Sequence, residues 1–296
     1  MNIELNLNNI DSIQKLSHKL LPLLYDPDNN DIILSIEYKP FNSLGIMVAL
    51  VAAINHARFL GKNISIIGKT DNPYLQRMNF FKEIGLEVTE KFMRHSSEGK
   101  LIEIKKFNYN TCDSFINDIG KILDKESILD DGIMGCFCYC MSELMDNIRH
   151  SETDEGFICV QSYPANKTTE LVLVDTGCGI RKSLQHNKEL NIQNDFEALE
   201  KCIEESITCG SGGRGNGLYH TVKIIQKNMG ELTIYSGEAV LYVNQKNIRV
   251  EKAPFWQGTY INISINNNVV MDLNDVFDGV VPTLVEEYKE SLYELW

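Results

Sequence analysis

A glycine-rich segment near residue 210 limits the structures that this chain can form more than any other feature. Five of the eight residues from Gly210 to Gly217 are glycine, and an apolar, helix-like pattern follows from Leu218 to Ile225. A loop of this kind that opens a helix presents unpaired backbone N–H groups and the positive end of the helix dipole. Such a site suits phosphate oxygens, because glycine lets the backbone approach a ligand closely.

Two common phosphate-binding patterns do not explain this segment. Gly210, Gly212 and Gly215 satisfy the spacing G-x-G-x-x-G. That fingerprint requires a strand immediately before it, whereas residues 196–207 are acidic and helix-like, so we exclude a Rossmann site. The Walker pattern is excluded as well, because no lysine follows these glycines before Lys223.

Two further groups of polar residues precede the glycines. Glu143 and Asn147 lie four residues apart within a helix predicted over residues 128–150, so they share one face of it. A β-rich run from Leu171 ends at Asp175 and is followed by Thr-Gly-Cys-Gly. A carboxylate at a strand end can accept a hydrogen bond from an amino group such as the adenine N6 amine. Taken alone, the first pair is also typical of a solvated helix face, and the second motif of a plain turn.

The charge balance narrows the function classes. The chain has 28 Lys and Arg residues against 41 Asp and Glu residues, which gives a formal net charge of −13. This charge disfavours binding to nucleic acid or to an anionic membrane. A phosphate site must therefore be built locally from backbone amides, a cation or a few basic side chains.

Hydropathy and cysteine usage predict a cytoplasmic protein without a membrane span. The longest apolar run, Ile46 to Ile54, has nine residues, whereas a transmembrane helix needs about 20. The first residues lack the pattern of a signal peptide. Three of the eight cysteines crowd into Cys-x-Cys-x-Cys at 136–140. This cluster is typical of small buried residues rather than of a zinc site or a secreted disulfide framework.

The order of the three polar elements resembles a known family. Glu143-x-x-x-Asn147, then Asp175-x-Gly177-x-Gly179, then Gly213-x-Gly215-x-Gly217-Leu218 resembles the N, G1 and G2 boxes of the histidine-kinase/gyrase-type (GHKL) ATP-binding domain. Two later stretches, Met229–Ile234 and Gly258-Thr259, also match this family. The resemblance covers residues 113–265.

The resemblance implies a role for each matched residue. Glu143 is the expected base that orients or deprotonates the attacking nucleophile. Asn147 is the expected Mg²⁺ ligand, and Asp175 the expected acceptor from the adenine amine. Residues 181–212 correspond to a mobile ATP lid. The remaining expected ATP-binding residues shape the adenine pocket or wrap the phosphates: Gly177, Gly179, Gly213, Arg214, Gly215, Asn216, Gly217, Leu218 and Thr259.

The chain departs from sensor kinases in two respects. Those proteins usually carry a basic residue three positions after the box Asn, where this chain has His150, with Arg149 just before it. Either side chain could meet a phosphate. There is also no pattern of a phosphoacceptor helix around His18, His56, His95 or His150. A self-contained sensor histidine kinase is therefore not expected.

The N-terminal region alternates strand and helix patterns. Strands are predicted at 32–36 and 63–68, and helices at 45–60 and 73–84. Over residues 5–90 this resembles a STAS (anti-sigma-antagonist-like) domain. The family's phosphoacceptor serine aligns with Leu44, and the neighbouring Ser43 is displaced. A docking role is therefore more natural than phosphorylation, and Ser43 is predicted to cap the helix.

These observations predict an α/β protein with three parts. A STAS-like α/β domain spans 1–95, a GHKL (Bergerat) α/β sandwich with a mixed sheet and helices on one face spans 110–268, and an acidic amphipathic tail spans 269–296. The expected function is ATP-binding signalling, as a Mg²⁺-dependent ATPase or a Ser/Thr protein kinase of the anti-sigma type. The alternative is an ATP-gated interaction module without productive catalysis. The expected partner is a STAS-like or sigma-regulatory protein, not nucleic acid or a membrane, and homodimerisation is left open.

Overall fold

The structure used here is a computed structural model. It describes residues 1–37, 43–97, 100–111, 115–116, 131–147, 153, 155–209, 216–283 and 285. Within them the chain has an α/β architecture with a three-stranded parallel sheet and a five-stranded antiparallel sheet. No helix in this described part is long and apolar enough to cross a membrane.

The N-terminal region forms the parallel sheet. Its strands lie in the order β1, β2, β3, and helices α1 and α2 follow the first and second strands. Both helices cover the same face of the sheet, which carries the buried residues of each strand. The element bounds are β1 Asn2–Asn6, α1 Ile13–Leu24, β2 Asp31–Glu37, α2 Leu44–Phe59 and β3 Asn63–Gly68.

Most of the predicted elements of this region are confirmed, but one helix is divided. The stretch predicted as a single helix over 73–84 forms α3, Pro73–Arg77, and α4, Phe80–Glu83. Asn79 separates them with φ +60°, a left-handed conformation that Asn tolerates better than most residues. Ser43 takes the N-cap position of α2 as predicted, but its side chain makes no capping hydrogen bond.

The second sheet has the strand order β4-β5-β6-β8-β7, and every described pairing is antiparallel. A mixed sheet was expected here from the resemblance to the GHKL domain. Strand β4 lies in the interval between the two predicted domains, 1–95 and 110–268, where no strand was predicted, and it pairs with β5. The strands are β4 Leu101–Asn108, β5 Glu155–Tyr163, β6 Thr168–Asp175, β7 Glu231–Asn244 and β8 Ile248–Asn266.

Five helices accompany this sheet in the described residues. The helix predicted over 128–150 is described as α5, and the helix predicted after the glycines is α8. Of the tail predicted over 269–296, the structure describes α9, the residues up to 283 and Val285. The bounds are α5 Asp131–Asp146, α6 Gly179–Leu184, α7 Asp195–Lys201, α8 Gly217–Asn228 and α9 Leu273–Val276.

Helix α2 is enclosed between the two sheets. It has no polar face, since 12 of its 16 residues are buried, and a helix that is apolar all round must be surrounded by protein. One side packs on the parallel sheet and the other on the five-stranded sheet, within a core that includes Val172, Val174 and Tyr260. Gly45 makes this approach possible, because a Cβ there would collide with the Tyr260 hydroxyl.

The centre of the five-stranded sheet is therefore buried on both faces. Along β6, Leu171 and Leu173 point into the core formed with α5 and α8, and Val172 and Val174 point into the core formed with α2. An antiparallel sheet with one solvated face alternates apolar and polar residues, but this strand is continuously apolar because both faces are covered.

Burial on both faces predicts that adjacent residues of β6 contribute similarly to stability. Leu171→Ala should lower the free energy of unfolding by about 2–4 kcal/mol and Val172→Ala by about 2 kcal/mol, because each leaves a cavity in a packed core. Ile248→Ala is the control, since Ile248 is 45% exposed. Urea denaturation measures all three. A near-neutral Val172→Ala would contradict the coverage of the second face by α2.

Candidate functional site

A cavity of about 810 Å³ lies where α5, the start of α8 and one face of the five-stranded sheet meet. It is on the sheet face opposite α2, because Leu173 and Ile261 line it while Val172 and Tyr260 point the other way. Residues from distant parts of the chain share its wall. The predicted site residues among them are Glu143, Asn147, Asp175, Gly179, Asn216, Gly217, Leu218 and Thr259.

The other predicted site residues are placed differently. Gly177 is adjacent to the wall, where its backbone N–H donates to the Asp175 Oδ1 at 2.9 Å. Gly213, Arg214 and Gly215 lie outside the described residues, as do Arg149 and His150. The expected lid, 181–212, is described up to Cys209 and holds the end of α6 and all of α7.

Asp175 stands at the end of β6, directly opposite Thr259 of β8. It is only 6% exposed. Burial raises the pKa of its carboxyl to about 6, although hydrogen bonds from the Gly177 N–H and from Thr259 favour the charged form. At neutral pH Asp175 is therefore a buried, mostly ionised acceptor at the wall of the cavity.

The turn after Asp175 is held by residues that the sequence analysis did not single out. The hydroxyl of Ser236 accepts from the Ile180 N–H at 2.9 Å and donates to the Gly258 carbonyl at 2.8 Å. Gly179 and Gly258 have φ of +77° and +82°, and a Cβ at Gly179 would meet the Ser236 hydroxyl. Ser236 could have been noticed only by knowing its register, since it lies opposite Thr259 in the sheet.

Glu143 and the start of α8 are in direct contact. A Cβ at Gly217 would collide with the Glu143 carboxylate, so the absence of a side chain at this position lets the two helices approach closely. Asn216, at the N-cap position, makes no capping hydrogen bond to α8. Its Oδ1 instead accepts from the Ser206 N–H at 2.8 Å. The first N–H groups of α8 are thus not occupied by their own N-cap side chain.

The described wall of the cavity is strongly acidic. It carries five carboxylates, and none of its described residues is a lysine or an arginine. An anionic ligand would therefore need positive charge from backbone amides, from a metal ion or from residues outside the described set. No group of three or more His, Cys, Asp or Glu residues in the described part of the chain could hold a metal ion. The five carboxylates belong to Glu143, Asp146, Asp175, Glu205 and Asp278.

The cysteine cluster of α5 lies in the core and not in this cavity. Cys136, Cys138 and Cys140 are all at most 3% exposed. Burial raises the pKa of the Cys138 and Cys140 thiols to about 12. These side chains are neutral packing residues, as the sequence analysis favoured.

Comparison with known proteins does not name a family. No protein-family model matches the chain, and no curated protein matches it either.

The pKa of Asp175 predicts how stability changes with pH. Because its folded pKa, about 6, exceeds the ordinary 3.8, the folded state takes up a proton at a higher pH than the unfolded chain. The charged carboxylate thus costs the fold about 3 kcal/mol at pH 7, and this cost disappears as the pH falls through 6 toward 4. Relative to Asp175→Asn, wild-type protein should gain about 2 kcal/mol of unfolding free energy between pH 7 and pH 4.

Urea denaturation of both proteins at several pH values measures this gain. Taking the difference between them cancels the titration of the other groups. A difference that stays constant from pH 7 to pH 4 would show that the carboxyl is not held in a desolvated position.

Proposed function

We propose that this chain is an ATP-binding signalling protein of the GHKL type, with a STAS-like N-terminal unit. The observation that carries the proposal is the convergence of Glu143, Asn147, Asp175 and the start of α8 on one cavity. These residues come from separate segments, and each has the chemistry that one part of a nucleotide requires. The cavity volume of about 810 Å³ is also large enough for a nucleotide.

The adenine end of the site would be formed by Asp175. Its ionised carboxylate accepts from the N6 amine, and its burial makes that hydrogen bond stronger than one formed in water. Gly179 and Thr259 are the neighbouring wall residues. The turn from Asp175 to Gly179, held by the Gly177 N–H and by Ser236, would give the base a fixed surface to pack against.

The phosphate end would be formed by the start of α8. The first N–H groups of the helix and its positive dipole end favour phosphate oxygens. The glycine-rich sequence that precedes the helix suits the same role. Asn147 lines the cavity beside Glu143, and its amide oxygen is a suitable Mg²⁺ ligand. A bound Mg²⁺ would neutralise phosphate charge within the acidic wall.

Glu143 is the residue best placed to act on a nucleophile. Its carboxylate lies against Gly217, where the phosphate-binding helix begins. From there it can orient and accept a proton from a water or a Ser/Thr hydroxyl, giving ATP hydrolysis or phosphoryl transfer. In the kinase version, a STAS-like or sigma-regulatory protein would supply the hydroxyl.

The N-terminal unit of the same chain is a poor candidate for that acceptor. Leu44, which aligns with the phosphoacceptor serine of STAS domains, is 2% exposed. The neighbouring Gly45 packs against Tyr260 on the sheet face opposite the cavity. We therefore assign this unit a structural role, covering the back of the sheet, instead of a substrate role.

Substitution of Glu143 tests the catalytic assignment. Glu143→Ala should reduce turnover of ATP by at least about 100-fold. Binding of MgATP should be retained or strengthened, because the substitution removes one negative charge from the acidic wall of the cavity. Glu4→Ala, on the exposed face of β1, is the matched control and should behave like the wild type. Calorimetry and a phosphate-release assay on the same samples separate the two effects. Retained hydrolysis would remove the assignment, and binding without turnover by the wild type would favour the interaction module.

The acidic wall predicts a strong requirement for a divalent cation. We expect ATP with Mg²⁺ to bind and ATP with excess EDTA to bind at least about tenfold more weakly, because close like charges repel. Asn147→Ala should reduce the increase in ATP affinity that Mg²⁺ causes. The affinity for adenosine should be retained. Calorimetric titrations with ATP and with adenosine measure these effects. Equal affinity with and without Mg²⁺ would contradict the expected arrangement.

A further inference from the structure

The segment that follows α9 forms one side of the cavity. Residues 277–283 all contribute to its wall except Gly279. Phe277 is 3% exposed. Its ring makes edge-to-face contacts with Tyr139 of α5 at 5.3 Å and with His220 of α8 at 5.1 Å between centroids. Such pairs contribute specific geometry in addition to burial.

These three rings connect the two helices that carry the proposed phosphate end. The Tyr139 hydroxyl and the His220 Nδ1 are 2.7 Å apart and share a hydrogen bond. Tyr139 lies one helical turn before Glu143, and His220 lies one turn after Gly217. The cluster therefore stands directly beside the contact between Glu143 and Gly217.

Ionic and apolar contacts hold the segment in place. The Asp278 carboxylate pairs with Lys223 of α8 at 2.5 Å, and Asp275 pairs with Lys227 at 2.5 Å. Further along the chain, Val285 is fully buried, and its side chain lies close to Gly135 of α5. The segment is thus attached to both helices on either side of the stretch that borders the cavity.

We propose that Phe277 is a positioning residue of this site. It holds the Tyr139–His220 pair in place. Through that pair, helices α5 and α8 keep Glu143 and Gly217 in the relative positions that the ligand requires. This inference rests on the proposed function, because it names a residue of the same nucleotide site. Phe277 acts through the two rings that its own ring contacts. The stretch from Phe277 to Thr283 is then a part of the binding site.

The state of His220 reports on this arrangement without any nucleotide. Burial of the ring lowers the pKa of His220, and the charge of Lys223 lowers it further, while Asp278 and Glu205 oppose the shift. Phe277 covers one side of the ring. Removing its side chain should admit water and raise the pKa toward its usual value.

The experiment combines NMR titration of His220 with calorimetric binding of MgATP to the full chain. In Phe277→Ala we expect a raised His220 pKa and a dissociation constant at least about fivefold larger. Phe277→Leu should bind MgATP with an affinity within about twofold of the wild type, since leucine keeps most of the apolar volume of the side chain. Val270→Ala is the control, because Val270 is 78% exposed and does not line the cavity.

A second variant keeps the proposal testable if Phe277→Ala does not fold. Tyr139→Phe removes only the hydroxyl that bonds to His220, so the ring packing and the fold persist. It should weaken MgATP binding in the same direction as Phe277→Ala. Unfolding curves at the assay temperature establish that each variant is folded.

Two negative results are distinguishable. If folded Phe277→Ala and Tyr139→Phe bind MgATP as tightly as the wild type, the positioning role is overturned and the proposed function stands. If the wild type itself binds no nucleotide, the proposed function falls and this inference falls with it.

Discussion

The enclosure of helix α2 is the constraint on which the rest of the structure depends. A helix without a polar face is unstable at a surface, because its apolar side chains would be exposed to water. Two sheets enclose it, and the second of them is the sheet that carries the candidate site. The N-terminal unit therefore packs on the sheet face opposite the candidate site. This leaves the other face of the sheet for α5, α8 and the cavity.

The site combines two opposing electrostatic requirements. Asp175 is buried deeply enough for its pKa to rise to about 6, whereas the proposed contact with an adenine amine uses its ionised form. At the other end, the wall is acidic, and α8 presents helix N–H groups. Phosphate binding in such a place depends on oriented amides and a metal ion, as expected for a chain with a net charge of −13. The same acidity would hinder any anion that arrives without a cation.

Many individual elements could be predicted from the sequence. Helix α2 and strand β3 were predicted almost to the residue, because their apolar patterns and glycine boundaries are local signals. Strand β4 was missed because its polar, charged residues hide its pairing with β5. The division of the helix at Asn79 was missed because it depends on one backbone conformation. Ser236 and Phe277 were missed because neither lies in a recognisable motif.

The sequence alone determined which chemistry is available: a carboxylate at a strand end, a Glu and an Asn on one helix face, and glycines before a helix. These are local properties that follow from the helical and strand periodicities. Their convergence on one cavity became visible only in the folded chain. The same holds for the sheet face that the cavity occupies and for the segment after α9 that borders it. Contacts such as that of Tyr139, His220 and Phe277 join positions far apart in the chain. Packing of the whole core creates them, and no short pattern encodes them.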